Sequence, residues 1–260
     1  DGFNQDEADG LKASRNWFRR LALPSAAALV VPSRVLETIA LDSWRQPRAR
    51  VRRVPNGIPL SEFAKPPQLD AIPGLVKQPD AFWVGTLAGL RRVKNLPLLV
   101  DACQGLSSEW HLVIAGEGPE RGEIEARIAE LGGQGRMHLP GHAPDPAAVI
   151  PLFDLFALSS DSEQFPISVV EAMAAGLAVV SPAVGDVAGM VAEPNRQFIT
   201  PKGDHSALRR AIEVLAGDPG LRASIGAANR TKAKAEYGEE KMVAAYREIY
   251  GRALGSDGFP

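Results

Sequence analysis

The feature that most constrains the fold of this chain is a regular alternation of apolar runs and amphipathic stretches between residues 81 and 200. The apolar runs are AFWVGT (81–86), WHLVIAG (110–116), RMHLPG (136–141), DLFALSS (154–160), LAVVSP (177–182) and FIT (198–200). Helical patterns lie between them at 95–106, 119–131, 146–152 and 167–175. Strands without polar alternation, separated by helices, are typical of a parallel sheet covered on both faces. We therefore predict an α/β domain with a doubly wound parallel sheet.

Two further strand and helix pieces precede this domain. An amphipathic helix is predicted over 9–23, and the runs AAALVVP (26–32) and VRRVP (51–55) are predicted strands. Ser33 is a candidate N-cap for the helix that follows the first strand. This part of the chain therefore has the same α/β character.

The segment 59–79 separates the two parts. It has four prolines between residues 66 and 79, too many for a helix and too irregular for a central strand. Beyond Asp204 the pattern is helical, and Pro219 and Gly238 divide it into three pieces. We predict four regions: a domain part at 1–58, a linker at 59–79, a domain at 80–235 and a C-terminal helix at 236–260 that would return to the first part.

Charge and cysteine content exclude some classes of function. The formal net charge is -2, so no global field attracts nucleic acid. The single cysteine, Cys103, lies on an apolar helix face and has no partner for an intramolecular disulfide, which favours a reducing cytoplasm. The acidic residues 1–10 do not resemble a secretory signal and begin without methionine, so we expect missing sequence upstream.

In an open parallel sheet, ligands bind outside the carboxyl ends of the strands. The loop at 85–95, GTLAGLRRVKN, combines Gly85 with Arg91, Arg92 and Lys94 before a predicted helix. Cations and free backbone N–H groups at a helix start form a good anion site. The alternative is a solvated basic loop.

Three other strand-end loops are less specific. AGEGPERGE (115–123) has Gly116 and Gly118 but lacks the third glycine of a dinucleotide fingerprint, and a plain turn explains it equally well. In GHAPDP, His142 and Asp145 either line the same crevice or form a turn. Asp186, in PAVGDVAGMV, is either a site residue or the N-cap of the next helix.

The most specific text is SSDSEQFPISVVEAMAAG (159–176). Glu163 lies in the loop and Glu171 follows eight residues later, in the predicted helix. Carboxylates accept paired hydrogen bonds from vicinal hydroxyls, so the two could hold a sugar and a ribose. The helix amides near Ile167 and Ser168 would face a phosphate between them. The alternative is that Glu163 is a surface acid and Glu171 a satisfied helix residue, although the apolar surroundings of Glu171 argue against the second.

Together these residues resemble the retaining glycosyltransferases of family four, which have the GT-B fold of two Rossmann-like domains facing a cleft. The motifs are VPNGI (54–58), the loop 85–95, AGEGPER (115–121) and the E-x7-E signature from Glu163 to Gly176. The last is strong, the others are individually weak, and the resemblance spans roughly residues 25–250. It implies a complete C-terminal donor domain that binds a nucleotide sugar, preceded by the tail of an N-terminal acceptor domain.

The resemblance also implies roles for single residues. Glu171 would bind the ribose hydroxyls and Glu163 those of the transferred sugar, with the amides of Phe165 and Pro166 close to that sugar. Lys94 would contact the diphosphate. The predicted catalytic residues are Glu163, Lys94 and Arg91. The predicted donor-binding residues are Gly85, Arg92, Gly116, Gly118, His142, Phe165, Pro166, Ile167, Ser168 and Glu171.

Two positions depart from the family pattern. Gln164 replaces the usual glycine after the first glutamate, which would alter sugar choice. Gly89 stands where an arginine often precedes Lys94 by five residues, so Arg91 or Arg92 would have to supply that charge.

The predicted function is transfer of a sugar from a nucleotide-diphosphate sugar to a carbohydrate or lipid-linked acceptor, with retention. No cofactor or metal is expected, because there is no Asp-x-Asp motif and the four histidines are scattered without ligand spacing. The missing N-terminal part would allow peripheral membrane contact, and this chain alone is expected to bind donor without transferring it. The alternatives are a non-catalytic nucleotide-sugar-binding module and a sugar-nucleotide epimerase.

Overall fold

The computed structural model describes residues 11–255, and the predictions made for residues 1–10 lie outside that range. Six parallel strands form the main sheet: β3 (Phe82–Leu87), β4 (Trp110–Ala115), β5 (Met137–Gly141), β6 (Leu155–Ala157), β7 (Val179–Pro182) and β8 (Ile199–Thr200). Their order in the sheet is β5-β4-β3-β6-β7-β8. The predicted α/β class with a parallel sheet is confirmed.

Helices flank this sheet and follow its strands. They are α3 (Leu96–Cys103), α4 (Arg121–Glu130), α5 (Pro146–Val149), α6 (Ile167–Ala175), α7 (Val187–Met190), α8 (His205–Gly217), α9 (Pro219–Glu236) and α10 (Glu239–Leu254). Two buried apolar clusters cover the two faces of the sheet, one around Phe156 and Met173 and the other around Leu99 and Ile114. The strands are therefore buried on both sides, as their unbroken apolar sequence predicts.

The first part of the chain contains α1 (Ala13–Ala22), β1 (Leu29–Val31), α2 (Arg34–Thr38), which continues as a π-helical turn over Ile39–Ser43, and β2 (Val51–Arg53). β1 and β2 pair in parallel. We call residues 11–58 the first unit and residues 80–255 the main domain. Ser33 caps α2 as predicted, because its Oγ accepts a hydrogen bond from the Leu36 N–H at 2.9 Å.

Helix α1 turns its polar residues toward this small unit and its large apolar residues outward. Trp44 donates from its indole to Asn16 at 3.1 Å, and Arg20 donates to the Ser43 carbonyl at 2.7 Å. Trp17 and Phe18, in contrast, are 64% and 68% exposed. The outward face of α1 therefore presents large apolar side chains to the exterior.

The proline-rich segment 59–79 is fastened to the main domain. Phe63 and Ile72 are buried in the core cluster that contains Trp83. Lys77 donates to Asp154 at 2.6 Å and to the Leu152 carbonyl at 2.7 Å. The segment predicted as a linker is thus anchored to the sheet at Phe63, Ile72 and Lys77, while residues 64–70 between these points are exposed.

The C-terminal helices close the structure. The Ile58 N–H donates to the Tyr237 carbonyl at 3.0 Å, and the Glu239 N–H donates to the Ile58 carbonyl at 3.1 Å. The start of α10 therefore contacts the last residues of the first unit. Within residues 11–255, no helix combines the length and apolarity needed to cross a membrane.

We expect Gly226→Ala to destabilise the fold, because α9 approaches the end of α6 so closely that a Cβ on Gly226 would lie 1.9 Å from the Gly176 carbonyl oxygen. Overpacking of this kind costs about 1–3 kcal/mol, which corresponds to a fall in Tm of roughly 2–12 °C. Thermal unfolding measures the change. The matched control is Gly217→Ala at the end of α8, where an added Cβ meets nothing within 4 Å. Equal Tm values for the two variants would contradict the packing argument.

Candidate active site

The strand order places a switch point between β3 and β6. From β3 the chain moves outward to β4 and β5, and it then returns to the other side of β3 with β6, β7 and β8. The loops after β3 and β6 therefore leave the sheet in opposite directions, and a crevice opens between them. Lys94 follows β3 and Glu163 follows β6, so the topology brings together two residues that are far apart in sequence.

The Lys94 ammonium donates to Glu163 Oε1 at 2.6 Å. Both side chains are largely buried, with exposures of 17% and 6%. Ser160 donates its hydroxyl to the same carboxylate oxygen at 2.7 Å. Two predicted catalytic residues thus form an ion pair at the switch point, and the reading of Glu163 as a surface acid is wrong.

The loops carrying this pair are clipped to each other. Ser159 Oγ donates to the Lys94 carbonyl at 2.9 Å, and the Asp161 N–H donates to the Val93 carbonyl at 2.9 Å. Asn95, which has a left-handed backbone (φ 46°), donates from its amide to Asp161 at 3.1 Å. Sequence reasoning did not single out these residues, although the polar run SSDS directly after an apolar strand was a usable signal.

The side chains of Arg91 and Arg92 are exposed. They line a cavity of about 160 Å³ together with Glu120, Glu123 and Asp161. The Arg91 side chain also lies near Gly89, since a Cβ built on Gly89 would lie 3.5 Å from Arg91 Nε. Lys94 is not among the residues that line this cavity.

The larger cavity, of about 350 Å³, lies at the ends of β3, β4 and β5. Its lining includes three of the predicted loops and the predicted donor-binding residues Gly116 and His142. The residues are Leu87, Ala88, Gly89, Ala115, Gly116, Glu117, His142, Ala143 and Pro146. Arg121 donates to Glu117 at 2.9 Å and lowers the pKa of that carboxyl group, which keeps a negative charge at the rim. A cavity of this size suits part of a small organic ligand.

Glycines allow the loops around this cavity to touch. A Cβ on Gly116 (φ +148°) would lie 1.9 Å from the Ala88 carbonyl oxygen, and one on Gly118 would lie 2.4 Å from that of Leu90. Gly85 lies inside β3, as the predicted strand 81–86 has it, and the Phe153 ring fills the space of its missing side chain. The structure therefore gives Gly85 a packing role, while its donor contact stays a prediction.

The start of α6 also corrects one expectation. Pro166 has no N–H and cannot donate to a sugar, so of the two predicted amides only that of Phe165 can serve. The Phe165 ring is buried and packs edge-on against Tyr237 at 5.7 Å. The first-turn amides of Ile167 and Ser168 have no acceptor within the helix, as at any helix start.

Glu171 is half-buried on α6, and burial raises the pKa of its carboxyl group to about 7. Within residues 11–255, no protein group donates a hydrogen bond to this carboxylate. A half-buried carboxyl group without a donor is costly to ionise. The alternative reading, a satisfied helix residue, is therefore wrong, and the carboxylate is available to accept hydroxyl donors.

Asp145 and Asp186, for each of which the sequence allows two roles, make different contacts in the structure. Asp145 caps α5 by accepting from the Ala147 N–H at 2.9 Å, which agrees with the turn reading. Asp186 does not cap its own helix, α7; its carboxylate instead accepts from the N–H groups of Arg34 and Val35 in α2. A contact between residues so far apart in sequence has no local signal.

The histidines are less scattered than predicted. His111 on β4 and His138 on β5 lie side by side, with His111 Nδ1 and His138 Nε2 2.9 Å apart. Burial lowers the pKa of both imidazoles, and Arg136 lowers that of His111 further. In the described part of the chain, no three His, Cys, Asp or Glu side chains are grouped so that they could hold a metal ion.

The parallel sheet and the polar groups at its switch point define a doubly wound α/β domain. A family profile described as glycosyl transferases group 1 matches residues 71–232. The chain belongs to this family.

Two curated relatives illustrate the match. The chain is 25% identical over 173 residues to N-acetyl-alpha-D-glucosaminyl L-malate synthase from Bacillus anthracis, covering 66% of this chain and 45% of that protein. It is 28% identical over 219 residues to D-inositol 3-phosphate glycosyltransferase from Xylanimonas cellulosilytica, covering 78% of this chain and 52% of that protein. The chain spans about half the length of the curated relatives it matches.

Solved structures show the same fold. HepE from Anabaena, crystallised with UDP and glucose, superimposes with a TM-score of 0.84 at 19% identity, covering 95% of this chain and 69% of that one. The structural neighbours are GT-B glycosyltransferases, which confirms the predicted fold type. The division at residues 58, 79 and 235 stays a prediction.

We expect Glu171→Gln to stabilise the free protein increasingly as pH rises. A carboxyl group whose folded pKa is raised binds more protons in the folded than in the unfolded chain between its ordinary pKa of 4.5 and about 7. The wild type therefore loses stability relative to the variant through that window. Thermal unfolding at pH 5 and pH 8 measures the gap, with Glu193→Gln, at an exposed position, as the control. A gap that does not change with pH would contradict the burial of the Glu171 charge.

Proposed function

We propose that this chain carries the donor site of a glycosyltransferase that transfers a sugar from a nucleotide-diphosphate sugar with retention of configuration and without a metal ion. The observation that carries the proposal is the set of polar groups at one end of the sheet: the Lys94–Glu163 ion pair at the switch point and the unpartnered Glu171 carboxylate on α6. Membership of the group 1 family supports it, and so do the UDP and glucose in the HepE complex.

The nucleoside end of the donor would be held by Glu171. Its carboxylate lacks a donor from the protein, and vicinal ribose hydroxyls can supply two. Binding would therefore favour the ionised form of a group whose pKa is about 7 in the free protein. Nucleotide affinity then rises with pH through neutrality, since deprotonation precedes the paired hydrogen bonds.

Donor binding would break the ion pair between Lys94 and Glu163, because each side chain would bind a different part of the donor. Lys94 would turn to the diphosphate, and Glu163 would accept from the sugar hydroxyls while Ser160 still donates to it. When the bond from the sugar to the diphosphate breaks, negative charge grows on the leaving oxygens. The Lys94 ammonium, Arg91 and the amides at the start of α6 would stabilise that charge electrostatically. These groups supply positive charge without a metal ion.

The acceptor would be a carbohydrate or a lipid-linked hydroxyl, and the reaction would take place in the cytoplasm. The buried, free Cys103 is compatible with a reducing compartment. Retention follows from the resemblance to family four. Product analysis by NMR, which reads the anomeric configuration of the new bond, tests retention directly, and an inverted product would overturn that part of the proposal.

Glu171→Ala should weaken nucleoside diphosphate binding about tenfold or more, since hydrogen bonds to a charged group are worth ~1.5–3 kcal/mol. Calorimetry with a panel of uridine, guanosine and adenosine diphosphates measures the loss for the base that binds best. A 2′,3′-dideoxy nucleotide is the matched ligand control, because it lacks the proposed donors and should bind both proteins equally. Unchanged affinity for the normal nucleotide in a folded variant would remove Glu171 from the site.

Lys94→Ala should weaken binding of the nucleoside diphosphate roughly ten- to hundredfold and leave binding of the nucleoside nearly unchanged, since the ammonium is proposed to meet only phosphate. Because the substitution leaves Glu163 buried without its cation, the double variant Lys94→Met with Glu163→Gln removes both charges and serves as the control for folding. If diphosphate and nucleoside lose affinity equally in both proteins, Lys94 is structural.

A further inference from the structure

The loop after β7 carries an aspartate that serves a distant helix. The Arg34 N–H donates to Asp186 Oδ2 at 2.6 Å, and the Val35 N–H donates to Asp186 Oδ1 at 3.0 Å. These amides belong to the first turn of α2, where backbone donors lack partners within the helix. One carboxylate from the main domain thus satisfies two donors of the first unit.

The same loop shapes the backbone next to the proposed sugar ligand. The Asp186 N–H donates to the Gln164 carbonyl at 3.0 Å. Gly185 has φ +53°, and a Cβ there would lie 2.5 Å from the backbone carbonyl oxygen of Gln164 and 2.6 Å from that of Glu163. The β7 loop therefore lies directly against the peptides of Glu163 and Gln164, and the position of Asp186 is tied to theirs.

A second contact between the main domain and the start of α2 is made by the side chain of Gln164. Gln164 is buried at 6% exposure, and its Oε1 lies 3.4 Å from Ser33 Oγ. Ser33 is fully buried and is itself the cap of α2, accepting from the Leu36 N–H. A glycine at position 164 would have no side chain with which to reach Ser33. The start of α2 is therefore held from two points of the main domain.

We propose that Asp186 is a positioning residue that, together with Gln164, docks the first turn of α2 on the loop of Glu163. Docking fixes the first unit relative to the place where the proposed sugar is held, and precise mutual placement of two reactants is a large part of the acceleration of a transfer reaction. The importance of this docking for sugar transfer rests on the proposed function, whereas the docking contact itself is independent of it.

The experiment measures the distance between the two units. Ala27→Cys in the first unit and Ser206→Cys in the main domain are exposed label sites. Cys103 stays unlabelled because it is buried and burial raises the pKa of its thiol to about 12. Pulsed electron paramagnetic resonance between two spin labels then gives the distribution of distances in the whole chain.

Three variants are compared with the wild type. Asp186→Ala removes both acceptors and should broaden the distribution and add longer distances. Asp186→Asn keeps an oxygen that accepts from an amide, so it should restore a narrower distribution. Asp218→Ala is the matched control: Asp218 caps α9 by accepting from the Leu221 N–H at 2.8 Å, entirely within the main domain, and its loss should leave the distribution unchanged.

Uridine diphosphate binding separates this proposal from the proposed function. Asp186→Ala should bind this nucleotide with wild-type affinity while its units separate. An unchanged distance distribution in Asp186→Ala overturns the docking role, and so does a broadening that Asp218→Ala reproduces. Loss of nucleotide binding in Asp186→Ala places the residue in the donor site and also overturns it. If the wild type binds none of the nucleotides in the panel, the proposed function fails and the distances still decide the docking.

Discussion

The reversal of strand order at β3 is the constraint on which the candidate site depends. Because β4 and β6 both pair with β3, the loops that follow β3 and β6 begin at neighbouring points and diverge. No helix can cover the gap between them, since each crossover runs to its own side. Lys94 and Glu163 meet in that gap, although 69 residues separate them in sequence. The contact between Lys94 and Glu163 therefore follows from the pairing of β6 with β3 and does not depend on a local sequence motif.

The two carboxylates that precede and enter α6 are in opposite situations. Glu163 has a cation and a hydroxyl on one of its oxygens, so a ligand that binds it must compete with contacts already made. Glu171 has no protein donor, and its burial opposes ionisation. A ligand with two hydroxyls therefore gains more at Glu171 than at Glu163. In the proposed function, the nucleoside part of the donor would therefore contribute more to binding through Glu171 than the sugar does through Glu163.

Much of the sheet could be predicted because apolar runs in a parallel sheet are continuous and easily recognised. β4, β5 and α6 lie where the periodicity places them, and the E-x7-E spacing marks both carboxylates. What could not be predicted is contact across long sequence distances. Nothing in the local sequence shows that the Phe153 ring fills the space beside Gly85. The local sequence favours Asp186 as the cap of α7, but its carboxylate accepts from the Arg34 and Val35 N–H groups of α2. Residue type gives the chemistry of a group, and the fold decides which partner is nearest.

The glycines at the strand ends connect these observations. Gly116 and Gly118 let the loops after β3 and β4 touch through their backbones, and Gly185 does the same for the loops after β6 and β7. Backbone contact leaves little space for adjustment, because hydrogen bonds such as that from the Leu90 N–H to the Glu117 carbonyl fix both partners. The loops on each side of the switch point therefore form stiff units. In the proposed docking, a movement of α2 would reach Glu163 through Asp186 and the peptide of Gln164, because the loop after β7 contacts both.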